Sequence, residues 1–291
     1  MPDDSPLIVS FVADLLFAIK IENAAQRLGY RVTWIGDAAE LGEEAPPLPY
    51  PVPGERLFGR AGKLVEQLVR WQPALLIFDL TNDKIPWRPW IANLKSSPAT
   101  RRLPILCFGP HIDSESARIA QGVGADAVVA RSRFAAALPE LIEKHARVPD
   151  NAAAALACAE PLSAPGKQGI ALFNQGLYYE AHEELEHAWM ADKGSGRDLY
   201  RAILQIAVCY LQIERENYRG AVKMLLRVQQ WLNPLPKSCR GVDVDRLWQD
   251  VQTVYEALVS LGADKIKEFD WTLARPVAFV HSPQINQTSS S

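Results

Sequence analysis

The sequence predicts an α/β domain built on a doubly wound, parallel sheet of five strands, followed by an all-α helical bundle. Two observations support this fold class. Through residues 1–146, short apolar runs alternate with amphipathic stretches, as in sheets that carry helices on both faces. From about residue 166 to 275, apolar residues instead recur at three- and four-residue steps, which is the spacing of a helix face. The chain therefore divides into two domains of different class.

Five short runs rich in large apolar residues predict the strands. They are LIVSFV (7–12), RVTWI (31–35), ALLIFDL (74–80), LPILCFG (103–109) and DAVVA (126–130). Amphipathic segments between and after these runs predict the helices, namely LFAIKIENAAQRLG, FGRAGKLVEQLVRWQ, SESARIAQGVG and FAAALPELIEKHA. The first segment ends in Gly29, and glycine is common directly after a helix. Regular alternation of strand and helix predicts parallel strands joined by crossover helices.

The second half of the chain begins after a segment with a different composition. Residues 147–165, RVPDNAAAALACAEPLSAP, are rich in alanine and proline and predict a linker with a short helical turn. The domain that follows, residues 166–275, has four predicted helices, over 167–191, 197–215, 217–232 and 243–262. The polar end of the chain, residues 276–291, predicts a disordered tail.

Composition excludes several classes of function. The net charge of −3 favours neither nucleic acid nor an anionic membrane as a partner. No apolar run approaches the ~18 residues that a membrane-spanning helix needs, and the acidic N-terminus does not resemble a secretory signal. The four cysteines are far apart and lack ligand-like spacing, so we expect reduced thiols in a cytoplasmic protein. They are Cys107, Cys158, Cys209 and Cys239.

The first domain resembles the receiver domain of two-component response regulators. FDL ends the third strand and GADAVVARSRF spans the fifth, and the resemblance covers most of residues 5–146. It implies that Asp79 occupies the phosphoacceptor position. Phosphoryl transfer to an aspartate also needs acidic residues that hold Mg²⁺, a hydroxyl and a lysine.

Those other parts are replaced in this chain. Val12 and Ala13 stand where the acidic pair belongs, Gly109 stands at the hydroxyl position, and Arg131 stands at the lysine position. An arginine keeps the charge of lysine but not its point-donor geometry. The sequence therefore favours a pseudo-receiver used for docking or dimerisation. The alternative is a phosphorelay response regulator that acts through Asp79.

The stretch FNQGLYYEAHEELEHAW, residues 173–189, carries the candidate site of the second domain. On one continuous helix, a core stripe forms from Phe173, Leu177, Ala181, Leu185 and Ala188. A flanking band holds Tyr178, His182, Glu186 and Trp189, whereas Glu183 points nearly away from it. His182 and Glu186 lie one turn apart and can reach a common atom.

Three interpretations of this polar cluster stay open. In the first, His182 and Glu186 form a buried hydrogen-bond network with Gln205 of the next helix. In the second, His182 and Glu186 contribute to a ligand site or hold a divalent metal ion, although two ligands do not make a metal site. In the third, the text HEELE resembles the HExxH helix of zinc proteases, and Glu183 would be the base of a metal-dependent hydrolase.

The second domain also resembles a known family. The segments GIALFNQGLYYEAHEELEHAW and LYRAILQIAVCYLQIERENYRGAVKMLLRV are similar to the helical domain of unknown function 309, over about residues 167–232. The resemblance implies a helical bundle and makes His182, Glu183 and Glu186 a feature of the family, whose biochemical role is not established. We therefore predict a regulatory protein that binds a ligand, a partner protein or a second copy of itself, rather than an enzyme.

Overall fold

The computed structural model describes residues 5–44, 57–110 and 115–280. It divides the chain into two compact units, Met1–Pro149 and Asp150–Ser291. Within the described residues, no helix combines the length and the apolar character that crossing a membrane requires.

The first unit contains the predicted parallel sheet. Its strands are β1 (Leu7–Phe11), β2 (Arg31–Trp34), β3 (Leu75–Asp79), β4 (Ile105–Gly109) and β5 (Ala127–Ala130). Their order across the sheet is β2-β1-β3-β4-β5, and every neighbouring pair is parallel. Every residue of β1, β3 and β4 is buried, because helices cover both faces of the sheet. The predicted α/β fold class is confirmed, with the strand order of flavodoxin-like folds.

Six helices accompany this sheet. They are α1 (Leu15–Arg27), α2 (Gly59–Trp71), α3 (Trp87–Ser96), α4 (Glu115–Gly122), α5 (Arg131–Ala136) and α6 (Leu138–His145), and a short 3₁₀ helix spans Ala38–Leu41. On one face of the sheet, the ring of Phe108 stacks on the rings of Phe134 and Phe17, with centroid distances of 4.1 and 5.1 Å. This stack lies beneath the carboxyl end of β4, where the first candidate site is built.

The second unit is helical. Its helices are α7 (Asn151–Cys158), α8 (Ala164–Asn174), α9 (Tyr178–Ala191), α10 (Arg197–Glu214), α11 (Tyr218–Leu232) and α12 (Val244–Leu261), with 3₁₀ helices at Ala263–Glu268 and Trp271–Leu273. A small hairpin pairs β6 (Ser238–Cys239) with β7 (Val242–Asp243). The predicted helical second half is confirmed, and within the described residues this hairpin and an isolated bridge between Val242 and Phe279 depart from it.

The prediction of a single helix over 167–191 is wrong, because a turn interrupts the helix between α8 and α9. Gly176 has φ +78°, a left-handed conformation that glycine adopts without a Cβ penalty. Phe173 is therefore buried from α8, while Leu177, which was assigned to the core stripe, is 42% exposed at the turn. The rest of the stripe is buried on α9 as predicted, at Ala181, Leu185 and Ala188.

The segment expected to be a linker, residues 147–165, has more structure than a turn. Its alanine-rich part forms α7, and a disulfide joins Cys158 at the end of α7 to Cys239 in the hairpin. The expectation of four reduced thiols is therefore wrong for this pair. The two cysteines lie 81 residues apart in the sequence. Only tertiary packing brings them together, so their spacing gave no indication of the bond.

The segment expected to be a disordered tail, residues 276–291, is ordered as far as it is described, up to residue 280. Val277 is buried and exchanges two hydrogen bonds with the side chain of Asn174, at 2.8 and 3.2 Å. The backbone of Ala278 accepts a hydrogen bond from Asp243 of the hairpin. The remainder of that prediction, residues 281–291, lies outside the described residues.

Candidate functional site

The first candidate site surrounds Asp79, which ends β3 and is 3% exposed. The chain turns directly after this residue, and Thr81 folds back on its carboxylate. Oδ1 of Asp79 accepts a hydrogen bond from the backbone N–H of Thr81 at 2.9 Å and another from its hydroxyl at 2.7 Å. One carboxylate oxygen is therefore occupied by the residue two positions along the chain.

Arg131, the first residue of α5, completes the arrangement around Asp79. Its Nη2 lies 3.2 Å from Oδ1 and 3.0 Å from Oδ2 of Asp79, and it also donates to the hydroxyl of Thr81 at 2.6 Å. The guanidinium carbon lies 5.0 Å from the ring centroid of Phe17 and 5.9 Å from that of Phe108. Ring contacts of this kind hold a guanidinium in place, so the cation is fixed over the carboxylate.

The positions expected to bind Mg²⁺ do not supply oxygen ligands. Val12 is buried, and Ala13 is exposed but apolar. Asp14 begins the next helix, where its Oδ1 accepts hydrogen bonds from the backbone N–H groups of Leu16 and Phe17. Its carboxylate therefore caps α1. Gly109, at the hydroxyl position, has no side chain to contribute.

A cleft of about 490 Å³ opens beside these residues, at the carboxyl ends of β1 and β2. Val12, Ala13, Leu15 and Trp34 contribute apolar lining, and the charged residues Asp37, Glu40 and Lys84 also line it. The carboxylates of Asp37 and Glu40 accept hydrogen bonds from the backbone at the start of the 3₁₀ helix. Leu15, which lines the cleft, is 78% exposed, and Leu16 (71%) and Ile19 (59%) are further exposed apolar side chains of α1. Val12 and Ala13, at the positions where a metal-binding receiver has acidic residues, thus present apolar side chains to this cleft.

The second candidate site was predicted on the stretch that forms α9. His182 and Glu186 are half-buried there, and Glu183 is exposed. Among the residues that the structure describes, His182, Glu183 and Glu186 form no side-chain hydrogen bond or ion pair. The three side chains are thus brought to one helix without being joined in a network.

The predicted hydrogen bond from Gln205 to His182 or Glu186 is not formed. Gln205 lies on α10, and its Oε1 accepts a hydrogen bond from Trp231 Nε1 on α11 at 3.2 Å. The side-chain amide of Gln205 faces α11 rather than α9, so its oxygen accepts a hydrogen bond from the indole of Trp231. A helical wheel gives the exposed side of each helix but not which neighbour that side meets.

Trp189 takes part in a different cluster from the predicted one. The guanidinium carbon of Arg201 lies 4.6 Å from the ring centroid of Trp189 and 3.8 Å from that of Trp231. Arg197 lies 4.9 Å from the centroid of Trp189. The cation of Arg201 therefore bridges two indoles and connects Trp189, through Trp231, to Gln205. Neither Arg201 nor Trp231 stood out in the sequence, because their proximity depends on helix packing.

Tyr178 contacts the other side of α10. Its ring centroid lies 4.9 Å from that of Tyr210 and 5.5 Å from that of Phe173. Burial raises the pKa of the Tyr178 hydroxyl, and the charge of Glu214 raises it further. Tyr178 is therefore part of an aromatic cluster with Phe173 and Tyr210.

No described set of three or more histidine, cysteine, aspartate or glutamate residues is arranged to hold a metal ion. His182 and Glu186 fit at most two positions of a coordination shell, whereas structural and catalytic zinc sites use three or four protein ligands. These residues do not fit a resident metal ion, and we derive no chemistry through one.

Comparison with known proteins gives separate matches for the two units. Residues 167–224 match the family model described as domain of unknown function DUF309. The receiver domain of the sensor histidine kinase PA1611 from Pseudomonas aeruginosa matches with 15% identity and a TM-score of 0.37, over 48% of this chain and 97% of that one. The chemotaxis response regulator CheY4 of Vibrio cholerae matches with 12% identity and a TM-score of 0.36, over 48% and 98%.

A response regulator from Thermotoga maritima matches with 12% identity and a TM-score of 0.33, over 48% of this chain and 96% of that one. A search of curated proteins finds no match. The strand order of the first unit resembles that of response-regulator receivers. The chain thus joins this receiver-like unit to a helical region that resembles the domain of unknown function 309.

Proposed function

We propose that this chain is a regulatory protein whose receiver-like unit is not switched by phosphorylation and serves as a docking module for a protein partner. The ion pair between Arg131 and Asp79 is the observation that carries this proposal. Both carboxylate oxygens of Asp79 face one fixed guanidinium nitrogen, at 3.2 and 3.0 Å. The phosphoacceptor position is thus occupied by a neighbour of the same chain.

Two physical effects oppose phosphorylation of Asp79. A carboxylate oxygen that attacks phosphorus needs a free lone pair, and here both oxygens of Asp79 accept from Arg131, while Oδ1 also accepts from Thr81. Phosphoryl transfer also depends on Mg²⁺ to neutralise the charge that develops on the phosphate oxygens. Val12 and Ala13 offer no ligand for that ion, and the carboxylate of Asp14 is used to cap α1.

The exposed apolar side chains of α1 support a docking role. Leu15 lines the cleft, Leu16 and Ile19 are exposed on the same helix, and clustered apolar side chains on a surface commonly mark sites of protein contact. The helical unit is the second part of the fusion, and the half-buried edge of α9 with His182 and Glu186 is its proposed contact region. A cytoplasmic location belongs to the same proposal.

The metal-dependent hydrolase has weaker support. Glu183 is exposed, and the described residues do not supply a third ligand for a metal held by His182 and Glu186. The phosphorelay alternative is opposed by the surroundings of Asp79. A docking module needs neither a metal ion nor a reactive carboxylate, and it is therefore the function that this geometry supports best.

Phosphorylation of the full-length protein tests the proposal. The protein is incubated with acetyl phosphate and Mg²⁺, and intact mass measurement follows the addition of one phosphoryl group. We expect no addition under conditions that label a receiver domain with a complete acidic pair. Stoichiometric labelling that is lost in an Asp79→Asn variant would overturn the proposal.

A restoring variant sharpens this test. Arg131→Lys combined with Ala13→Asp returns the point cation and one acidic ligand, and Ala13 is exposed, so the new carboxylate needs no burial. We expect slow, Mg²⁺-dependent labelling of this double variant at Asp79. Arg133→Lys, two positions along α5 and exposed, is the matched control and should stay unlabelled.

A further inference from the structure

The disulfide between Cys158 and Cys239 is the place in this chain where thiol–disulfide chemistry can occur. The other two cysteines, Cys107 and Cys209, are fully buried in the cores of the two units. Burial raises the pKa of both thiols, so neither supplies the thiolate that thiol chemistry requires. Any oxidation or reduction therefore acts on the Cys158–Cys239 pair.

The hairpin that carries Cys239 is a rigid attachment point. Arg240 and Gly241 connect its two strands with φ values of +53° and +82°. Two consecutive residues with positive φ are typical of the tight type I′ turn, whose twist matches that of the flanking strands. Cys239 is itself 0% exposed. The partner cysteine is thus held in a fixed position, independent of α7.

Helix α7 itself is held by few other contacts. Of its eight residues, only Ala154 and Cys158 are buried, and Leu156 is 77% exposed. Isolated helices of this length are not stable in water, because the cost of nucleation is not recovered over two turns. The helix therefore depends on its attachment at Cys158.

A second set of contacts holds the chain just after α7. The side chain of Arg240 is 5% exposed and donates to the carbonyl of Pro161 at 2.9 Å. The same guanidinium pairs with Asp192 at 2.7 Å and with Glu160 at 3.5 Å. The backbone N–H of Arg240 also donates to the carbonyl of Cys158 at 2.7 Å. These contacts hold residues 158–161 whether or not the disulfide is present. Reduction would therefore affect α7 far more than α8.

We propose that Cys158–Cys239 is a reversible redox modification site whose reduction by a dithiol releases α7. In the oxidised chain, the segment between α6 and α7 is limited to residues 146–150. In the reduced chain, α7 unfolds and the segment without helical structure extends to residue 157, because the backbone of Arg240 still binds the carbonyl of Cys158. The redox state thus sets the length of the segment that joins the receiver-like unit to the helical unit.

The chemistry is ordinary thiol–disulfide exchange. A thiolate of the dithiol attacks the sulfur of Cys158, which is the more exposed of the pair at 5%. The S–S bond breaks, and Cys239 leaves with the electron pair and takes up a proton. The second thiol of the reductant then displaces Cys158. The dithiol becomes a disulfide as the protein gains two thiols, and oxidised glutathione reverses the reaction.

Redox titration of the full-length protein tests this inference. The protein is equilibrated in buffers with graded ratios of reduced to oxidised dithiothreitol, quenched, and alkylated with iodoacetamide for peptide mass spectrometry. In parallel, each sample is digested briefly with elastase, which cleaves after small residues such as those of α7. We expect Cys158 and Cys239 to become alkylated together, and cleavage within residues 151–158 to accelerate roughly tenfold or more.

Two variants control the experiment. Cys158→Ser should be cut rapidly at every dithiothreitol ratio, whereas Cys107→Ala, which changes a buried thiol of the other unit, should keep the redox dependence. The inference is overturned if the pair stays oxidised at every ratio. It is also overturned if the reduced wild-type chain resists elastase as well as the oxidised one. The wild-type measurement decides between these results even if Cys158→Ser does not fold.

Discussion

Arg131 binds the carboxylate of Asp79 from a position 52 residues further along the chain. Lysine would present a flexible point charge there, but the planar guanidinium of arginine can also stack on aromatic rings. Phe17 and Phe108 supply those rings. One residue type thus changes a position associated with phosphoryl transfer into a structural ion pair. The buried carboxylate of Asp79 is compensated by this cation together with the hydrogen bonds from Thr81.

Replacement of the cation should destabilise the receiver-like unit. In Arg131→Ala, the carboxylate of Asp79 stays buried without its partner, while the 35% exposure of Arg131 screens part of the interaction. We expect the free energy of unfolding to fall by about 2 kcal/mol in urea denaturation at neutral pH. Arg133→Ala should change it by less than about 0.5 kcal/mol. Adding Asp79→Asn to Arg131→Ala should recover part of the loss, and no recovery would contradict the assigned pair.

Alkaline pH should destabilise the helical unit through Tyr210. Burial raises the pKa of this hydroxyl above its ordinary value of 10.0, and nearby Cys209, Tyr178 and Asp250 raise it further. Above pH 10 the tyrosine ionises in the unfolded chain but not in the folded one. The folded state therefore binds more protons, and stability present below that pH is lost as the pH rises.

The matching measurement compares variants at two pH values. Between pH 10 and pH 11, the wild-type protein should lose about 1 kcal/mol more unfolding free energy than Tyr210→Phe. Tyr179 is 55% exposed, so Tyr179→Phe should behave as the wild type does. Equal pH slopes for the wild type and Tyr210→Phe would show that the hydroxyl ionises equally in both states.

At the scale of elements, the turn between α8 and α9 decides which residues reach the core. The backbone N–H of Gly176 donates to Phe173 and that of Leu177 donates to Leu172, which closes the end of α8. With Gly176 left-handed, α9 starts afresh at Tyr178 and packs beside α8. The periodicity of α9 is therefore independent of the periodicity of α8. Treating both as one helix places Leu177 wrongly.

Gly176→Ala isolates the cost of that turn. A Cβ at this position would meet no atom within 4 Å, so the cost comes from the left-handed backbone alone. We expect the free energy of unfolding to fall by about 1–2 kcal/mol. Gly122→Ala is the matched control, because its site at the end of α4 is equally open but has no positive φ. Equal effects of both substitutions in chemical denaturation would argue against a strained turn.

At the scale of the whole molecule, the chain has two compact units with separate hydrophobic cores. The first core is centred on the aromatic and aliphatic side chains of the parallel sheet. The second is formed by the inner faces of α8 to α12. Units with their own cores commonly unfold as separate cooperative blocks. Changes in one unit should then leave the transition of the other in place.

Calorimetry of the full-length protein tests that separation. We expect two heat-absorption transitions. Arg131→Ala should lower the midpoint of one and Gly176→Ala the midpoint of the other, each by roughly 2–4 °C per kcal/mol lost, as is typical of units of this size. The double variant should show both shifts added. One transition that both substitutions move would mean that the chain unfolds as a single cooperative block.

The sequence by itself determined the local features of this protein. Apolar runs located the five strands to within two residues at each end. The reason is clearest for β1, β3 and β4, because a strand buried on both faces needs apolar side chains throughout. The strand end at Asp79, and the loss of acidic residues at Val12 and Ala13, could likewise be predicted. Apolar residues at three- and four-residue steps located the helices α8 to α12 of the second unit, although this spacing missed the turn at Gly176.

Only the tertiary structure decided which distant groups meet. Arg131 reaches Asp79, Gln205 accepts from Trp231 instead of from α9, and Cys158 bonds to Cys239. Periodicity reports which side of an element faces inward, since it reflects the local geometry of helix and strand. It carries no information on which neighbour that side contacts. The pairing follows from how the elements pack, and packing depends on the whole chain at once.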